Sequence, residues 1–501
     1  MNFNDKLDEN GSVEELRTAF KNLIQTYGRH ELNFNTASVV VLWLKTRGKF
    51  YHHSEELEFE KVLFFNSEKK VLQRVQSASF QAWLSEITQI NRKEGRFAFI
   101  LKAIENEGLN NGSPILPSAY WSSKIEGDTV QAIYLSNGDG IIVRIRPNSV
   151  DEVDNGTDGV LFPVGLTLKP WKMDFKNQTD PFDQCAIFRA MENATPHCGE
   201  LLRLWTCAVL GNFPCRPPLC ITSPVGGGKT ALIRGLQRLL GVPETVVAAT
   251  QKGEEDFWVT LDQGGLACLD NADTRIDWLA DTLSLAATGG TRQKRKLYTD
   301  GESVKLRPRA AVAITSASPN FAADPGLADR LIVVRLERRI GQTQESWLFA
   351  EVDAARDAGL SWIANRLADA LADTAPTPNV NKRHPDFAAL AVRIGRAMGH
   401  ETAAVAALQA AETDKSRFNV ENDPVGVMLL DAITEPFSGT AADLVGLFAK
   451  GQPEGARDVP SPKSLGKRLD AIWPHLETFF AARKRKGHGG TIVYSFAPPK
   501  S

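Results

Sequence analysis

Leu219-Cys-Ile-Thr-Ser-Pro-Val-Gly-Gly-Gly-Lys-Thr-Ala-Leu-Ile, residues 219–233, is the stretch from which the fold can be read. Leu219–Ile221 is a short apolar run of the kind a buried strand makes. A glycine-rich turn follows. The helix after it carries Leu232, Leu236, Leu239 and Leu240 at helical spacing, and it stops at Gly241 with Pro243 just beyond. Strand, glycine loop, Lys-Thr and helix in that order spell a phosphate-binding loop. The loop comprises Ser223, Pro224, Val225, Gly226, Gly227, Gly228, Lys229, Thr230 and Ala231. Its glycines let backbone N–H groups approach phosphate, and the helix N-terminus favours negative charge. Lys229 supplies a positive charge for the β- and γ-phosphates and Thr230 a hydroxyl for Mg²⁺. The expected cofactors are therefore ATP and Mg²⁺. The usual pattern opens with glycine where this chain has Ser223.

Moving outward, Thr245–Ala249 is a second short strand, and Leu266-Ala-Cys-Leu-Asp-Asn-Ala-Asp is an apolar strand ending in acids and an amide. A strand that delivers a carboxylate beside a phosphate loop is what Mg²⁺ handling needs, and Asp270 is the candidate. Asn271 stands where a second carboxylate would activate water. Asparagine takes no proton, so Asp273 or a residue elsewhere does this, or hydrolysis is slow. Trp278–Thr288 reads as a helix. Next comes a basic segment that turns at Asp300-Gly301, with Lys296-Leu-Tyr and Val304-Lys-Leu as arms. Lys294, Lys296 and Lys305, with Arg292, Arg295, Arg307 and Arg309, make it a basic β-hairpin suited to a phosphate backbone. A merely solvated charged hairpin is the competing reading. Ala310–Ser316 is the following core strand, ending in the hydroxyls of Thr315 and Ser316. Arg330 precedes the last core strand, placed to reach a neighbouring subunit's nucleotide or to pair with Asp329.

Gly289-Gly-Thr-Arg-Gln-Lys-Arg-Lys-Leu-Tyr, a hairpin, Pro308, a hydrophobic strand and Thr-Ser-Ala-Ser-Pro together resemble the central block of superfamily 3 helicases. The similarity is to the helicase half of phage and poxvirus primase–helicases and to replication proteins of mobile elements. More broadly it is to AAA+ ATPases with a pre-sensor hairpin. The resemblance covers about residues 215–340 and, more loosely, the C-terminal segment. It implies a hexameric ring that hydrolyses ATP between subunits and moves along single-stranded DNA. Position by position, Lys229 and Thr230 match the phosphate-loop pair, Asp270 the Mg²⁺-linked acid, Lys294 and Lys296 the DNA-facing hairpin, and Arg330 the arginine finger. Ser223, Asn271 and Ser316 depart from the family's usual glycine, second acid and sensor asparagine.

The flanks fix the domain plan. Residues 1–165 read as an α+β accessory module: a helix over 1–30, a strand-like stretch from Val39 to Val75 that includes Val39–Leu44, two helices, a hairpin across Ser136–Asp139, and a polar loop over Asp151–Gly159. His52-His53 reads as a surface pair. Residues 166–214 are a helical lead-in, 215–340 the ATPase core and 341–420 a helical lid. Residues 421–501 run helix, helix, basic helix, basic strand pair, the pattern of a winged helix. Its candidate DNA contacts are Lys463, Lys467, Arg468, Arg483, Lys484, Arg485 and Lys486.

The chain has 501 residues, 43 % hydrophobic and 24 % charged, with a net charge of −2, so any nucleic-acid surface is a local patch. No apolar run reaches membrane length, the N-terminus is polar and acidic, and the six cysteines include no Cys-x-x-Cys pair. Buried thiols in a reducing cytoplasm and no membrane partner are expected. The fold class expected is α/β: an AAA+ P-loop core with an α+β N-terminal domain and a C-terminal winged helix. The function expected is an ATP-dependent DNA helicase or translocase replicating a mobile element, working beside a separate primase or initiator. The alternative is an ATP-binding assembly switch on DNA with little unwinding.

Overall fold

The computed structural model describes the chain except residues 1–11, 55–61, 128, 164–167, 190–196, 212–215, 275, 296–302, 318, 320–324, 338–342, 381–382, 451–458, 488–490 and 499–501. It divides into two compact units. One comprises Met1–Ser122, Ile133–Arg144 and Val150–Lys172; the other comprises Ser123–Ala132, Ile145–Ser149 and Met173–Ser501.

The first unit opens with α1 (Val13–Thr26). A capping box starts it: Glu15 N–H donates to Ser12 Oγ at 3.2 Å, and Ser12 N–H donates to the Glu15 carboxylate at 2.6 Å. Leu16, Phe20 and Leu23 are buried, and the helix closes at Tyr27 as its periodicity predicts. The next element overturns an expectation. Val39–Leu44 is not a strand but the middle of α2 (Arg29–Arg47). Val39, Val40, Val41, Trp43 and Leu44 are all buried in a core shared with α1 and the two helices below. A helix enclosed on most sides needs apolar residues without a gap. Such a run carries no period that separates it from a buried strand.

β1 (Gly48–His53), β2 (Leu63–Asn66) and β3 (Val71–Arg74) follow where the sequence places strands, then α3 (Ala78–Thr88), α4 (Gly95–Asn111) and β4 (Ser113–Ile115). They form a sheet of order β3-β2-β1-β4, in which only the β1–β4 pairing is parallel. β5 (Trp121–Glu126), β6 (Thr129–Ser136), β7 (Ile141–Arg146) and β8 (Ser149–Asp154) make a second four-stranded sheet in that order, its residues divided between the two units. The start of the expected Asp151–Gly159 loop is therefore strand. Arg144 accounts for its acidity, bonding Asp151 at 2.6 Å and Asp158 at 2.9 Å.

The second unit holds a five-stranded, all-parallel sheet. Short helices α5 (Pro181–Gln184) and α6 (Ala186–Arg189) and the buried α7 (Cys198–Leu210) lead into it. Then come β9 (Leu219–Thr222), α8 (Lys229–Leu240), β10 (Val246–Ala248), α9 (Glu254–Gln263), β11 (Leu266–Asp270), α10 (Leu279–Thr288), the hairpin strands β12 (Arg292–Arg295) and β13 (Ser303–Leu306), β14 (Ala311–Ser316), α11 (Pro325–Ala328) and β15 (Ile332–Arg335). The sheet order is β10-β11-β14-β9-β15. β9 lies between β14 and β15, and Leu219, Cys220 and Ile221 are wholly buried, which is why the run is continuously apolar. The order reverses beside β9, so the loop after it opens at a switch point of the sheet.

α12 (Glu345–Ala372), α13 (Pro385–Ala397) and α14 (Glu401–Glu421) pack in sequence, α12 also against α8. The chain ends with α15 (Pro424–Ala432), β16 (Phe437–Thr440), α16 (Ala441–Lys450), α17 (Pro462–Phe479), β17 (Arg483–Lys486) and β18 (Ile492–Phe496), with sheet order β16-β18-β17. Leu465, Leu469 and Ile472 of α17 go inward and Lys463 and Lys467 outward, as read from the sequence. No helix among the described residues is long and apolar enough to cross a membrane.

Candidate functional site

Thr222 ends β9, and the loop turns back over the N-terminus of α8. Gly226 and Gly228 take φ of +83° and +82°, a region that disfavours side chains. Gly227 is constrained differently: a Cβ there would stand 2.2 Å from Ser223 Oγ and 2.6 Å from Ser223 Cβ. Ser223 thus occupies the space that a bare glycine leaves. Val225, at the apex, is 83 % exposed. Lys229 is buried and folds back, its ammonium donating to Ser223 O at 3.0 Å and Ser223 Oγ at 3.3 Å. Thr230 Oγ1 lies 3.0 Å and 3.2 Å from the two carboxylate oxygens of Asp270, at the end of β11.

β11 and β14 are laced together at their C-terminal ends. Thr315 Oγ1 donates to Asp270 and accepts from Asn271 N–H at 3.0 Å. Ser316 Oγ lies 2.9 Å from Ala272 O and 2.8 Å from Asp273 Oδ1, and Ala317 N–H donates to the same carboxylate oxygen at 2.5 Å. Asp270, at the end of β11, and Asp273, three residues on, are therefore each clamped by a hydroxyl of β14. Between them Asn271 is exposed at φ +57°, a conformation asparagine tolerates. The structure brings Ser223, Lys229, Thr230, Asp270, Asp273 and Ser316 together at one end of the sheet. A cavity of about 380 Å³ adjoins them, lined by Ser223, Pro224, Ala317, Arg335, Phe418 and Glu421 among others.

Arg335 is a residue of this neighbourhood that the sequence did not reveal. It ends β15 and bonds Asp414 at 2.9 Å and Glu421 at 3.0 Å on α14. Burial works against its charge, yet the two carboxylates raise its pKa. Its partners lie about eighty residues away, beyond any local pattern.

Arg330 stands before β15, and its guanidinium donates to Gly326 O. Its carbonyl accepts from Nε2 of the buried His384 at 3.1 Å. Burial first, then the charge of Lys415, pushes the His384 pKa down to about 4. The folded imidazole is thus a weaker base than the unfolded one, at about 6.5. Stability from this group is complete above that unfolded value and is lost as pH falls toward the folded one. Thermal melts between pH 7 and 4 should show a loss of Tm that His384→Gln reduces; an unchanged slope would remove His384 from this account.

In the hairpin, Gln293 pairs with Lys305 and Lys294 with Val304. The described part of the first arm is Arg292–Arg295, and α9 holds the base of the hairpin: Arg292 bonds Glu254 at 2.7 Å, and Arg307 N–H donates to Asp262 at 3.0 Å. Lys305 is exposed, Lys294 is described at its backbone only, and Lys296 and Asp300-Gly301 lie outside the described residues.

The C-terminal basic residues divide. Arg468 bonds the buried Asp423 at 2.5 Å, and Asp423 also caps α15 by accepting from Val425 N–H at 2.8 Å. Lys484 bonds Asp470 at 2.9 Å and lies over the Trp473 ring. These two, expected from the sequence as DNA contacts, each have an acidic partner, and the Lys484 side chain is itself exposed. Lys484 opposes the buried Tyr494 across the strand pair. Lys463, Lys467, Arg483, Arg485 and Lys486 are exposed. Arg468→Ala should lower stability by roughly 1–3 kcal/mol, because it strands a buried carboxylate, and should leave the salt dependence of DNA binding unchanged. A reduced salt slope with an unchanged melt would return Arg468 to the DNA surface.

Burial pushes the thiols of Cys185 and Cys220 up to about 12 and raises those of Cys207 and Cys268, which makes them poor nucleophiles. The five described cysteines are buried and form no disulfide, as expected; Cys215 lies outside the described residues. His52 Nδ1 lies 3.1 Å from His53 O.

The fold and the loop define a mixed α/β protein with a parallel-sheet core and flanking helices, of P-loop ATPase type. Residues 185–416 match the family model of the actinomycete integrative conjugative element replication protein. Among solved structures, the C-terminal region of NrS-1 is similar at 12 % identity and a TM-score of 0.41, over 91 % of this chain and 98 % of that one. The Cch protein of SCCmec type IV, described as an active helicase, is similar at 11 % identity and 0.45, over 87 % and 90 %. No curated protein matches significantly. Over residues 185–416 the chain thus resembles a replication protein of a mobile element.

Proposed function

We propose that the chain is an ATP-dependent DNA helicase or translocase that works as a ring, a hexamer by resemblance, in replication of a phage, satellite or other mobile element. The carrying observation is the meeting of Lys229, Thr230 and Asp270 below a loop with two left-handed glycines. The donor set fits ATP with Mg²⁺. A hydroxyl and a carboxylate side by side suit an ion that keeps most of its waters, and Lys229 has an ammonium held only by neutral oxygens, free to exchange them for phosphate. Bound Mg²⁺-ATP supplies the reactive phosphoanhydride; Thr230 and Asp270 hold its ion and Lys229 its β- and γ-oxygens. Asp273, oriented by Ser316 and Ala317, is the carboxylate that takes the proton from attacking water, in the place of Asn271. Arg330 reaches the nucleotide of the next subunit.

Lys294, Lys296 and Lys305 line the pore on the hairpin. α12, α13 and α14 form the lid. The C-terminal order of helix, strand, two helices and two strands, with β18 between β16 and β17, supports a winged helix. Its DNA face is carried by Lys463 and Lys467 of α17 and by Arg483, Arg485 and Lys486 of the wing. A separate primase or initiator completes the machinery. One observation favours a second reading, an ATP-driven assembly switch with little unwinding: the exposed Asn271 beside Asp270 cannot accept a proton. Strand displacement on a forked duplex with ATP, run beside a measurement of particle mass, decides. Displacement by a ring supports the helicase; ATP-dependent assembly without displacement supports the switch.

A further inference from the structure

Between α2 and α4 in the first unit runs a groove of about 610 Å³. Lys45 and Glu107, near the C-terminal ends of the two helices, pair at 2.6 Å, so the helices run side by side in the same sense. Phe34 and Phe99, near their N-terminal ends, stand at the other end of the groove, 65 % and 43 % exposed. From Phe34 to Lys45 the groove follows α2 for about 16 Å.

Scattered exposed aromatics are ordinary. These two share one groove with amides and ammonium groups, and that combination points to a ligand. Phe34 and Phe99 offer ring faces. Asn106 and Asn110 line the groove, and no hydrogen bond engages their amides among the described residues. Lys102 is exposed and forms no ion pair among the described residues. The groove's single carboxylate, Glu107, is occupied on both oxygens, by Lys45 at 2.6 Å and by Asn111 Nδ2 at 3.1 Å. Lys45 and Lys102 against Glu107 leave the lining with one net positive charge.

We propose that this groove binds a short run of single-stranded DNA, with bases stacked on Phe34 and Phe99, base edges on Asn106 and Asn110, and phosphate on Lys102. A docked protein helix fits less well. Its backbone groups are already bonded internally, so it would bury free amides and an ammonium without partners. Bases carry both the π-face and the polar edge that this lining complements. The choice of DNA over RNA rests on the function proposed above; the groove itself does not.

The test uses the full chain carrying Lys229→Ala, without nucleotide, so the result does not depend on the ATP site. An oligodeoxynucleotide substituted with 5-iododeoxyuridine is photo-crosslinked and its adducts are mapped by mass spectrometry. Adducts at Phe34 or Phe99 are expected. Phe34→Ala/Phe99→Ala should abolish them and weaken a short oligonucleotide on the order of tenfold for each ring, with an unchanged melt because both side chains are exposed. Adducts confined to other segments, or unchanged affinity in the double variant, would overturn the proposal. Adducts formed by the matching RNA but not by DNA would overturn the DNA assignment. Loss of a co-purifying protein, with oligonucleotide affinity kept, would show the groove to be a protein site. A chain that hydrolyses no ATP still gives the crosslink if the groove is assigned correctly, so the two readings fail separately.

Discussion

Lys229→Ala is expected to lower ATP turnover by roughly 10²–10³-fold, the cost of removing one donor aimed at developing charge. The expectation follows from where the ammonium rests. It is buried, and its bonds are to Ser223 O and Ser223 Oγ, both neutral acceptors. Phosphate oxygens outcompete neutral acceptors for an ammonium, since their full negative charge adds a Coulomb attraction that a carbonyl or hydroxyl oxygen lacks. The swap therefore costs little, and its full benefit falls on the transferring phosphoryl group. Alanine removes the donor without touching the sheet: β9 and the stripe of α8 from Leu232 to Leu240 remain buried. The melt should stay within a few degrees while phosphate release, measured with and without single-stranded DNA, collapses. Turnover at the parent level would place the chemistry elsewhere in the chain.

The loop and its acid strand were legible because their signals are local. An apolar strand, a glycine turn, Lys-Thr and a leucine stripe lie within twenty-odd consecutive residues, and each has its own physical cause. Asp270 was legible for the same reason, as the carboxylate ending an apolar run. Val39–Leu44 misled because complete burial erases the period that separates helix from strand. For Arg468 and Lys484 the charge is legible in the sequence and the acidic partner is not. The partner of Arg468 is Asp423, forty-five positions earlier, and that of Lys484 is Asp470, fourteen positions earlier. The Asp423-Pro424 pair does read as a helix start, and that signal was the available hint that Asp423 is held in the fold. The tie of Arg335 to Asp414 and Glu421 has no such hint.

Gly227→Ala should weaken nucleotide binding by roughly 10²-fold, and Ser223→Gly should restore much of it. The added Cβ would lie 2.6 Å from Ser223 Cβ, far inside the ~3.5–4.0 Å contact of two carbons. Rotating the serine hydroxyl relieves the 2.2 Å approach to Oγ but cannot relieve a contact between two Cβ atoms. The loop must therefore open, which moves the N–H groups over the α8 terminus; a displacement near 1 Å at a positioning element costs about 10²-fold. Glycine at 223 removes both offending atoms. The remaining neighbour, Pro224 O at 3.2 Å, asks for a shift of only a few tenths of an ångström. Titration of a fluorescent ATP analogue against the parent, both single variants and the double variant reads this directly. A double variant no better than Gly227→Ala would mean that the two positions do not compete for space. The departure of Ser223 from the usual loop glycine would then need a cause other than the bare Gly227 opposite it.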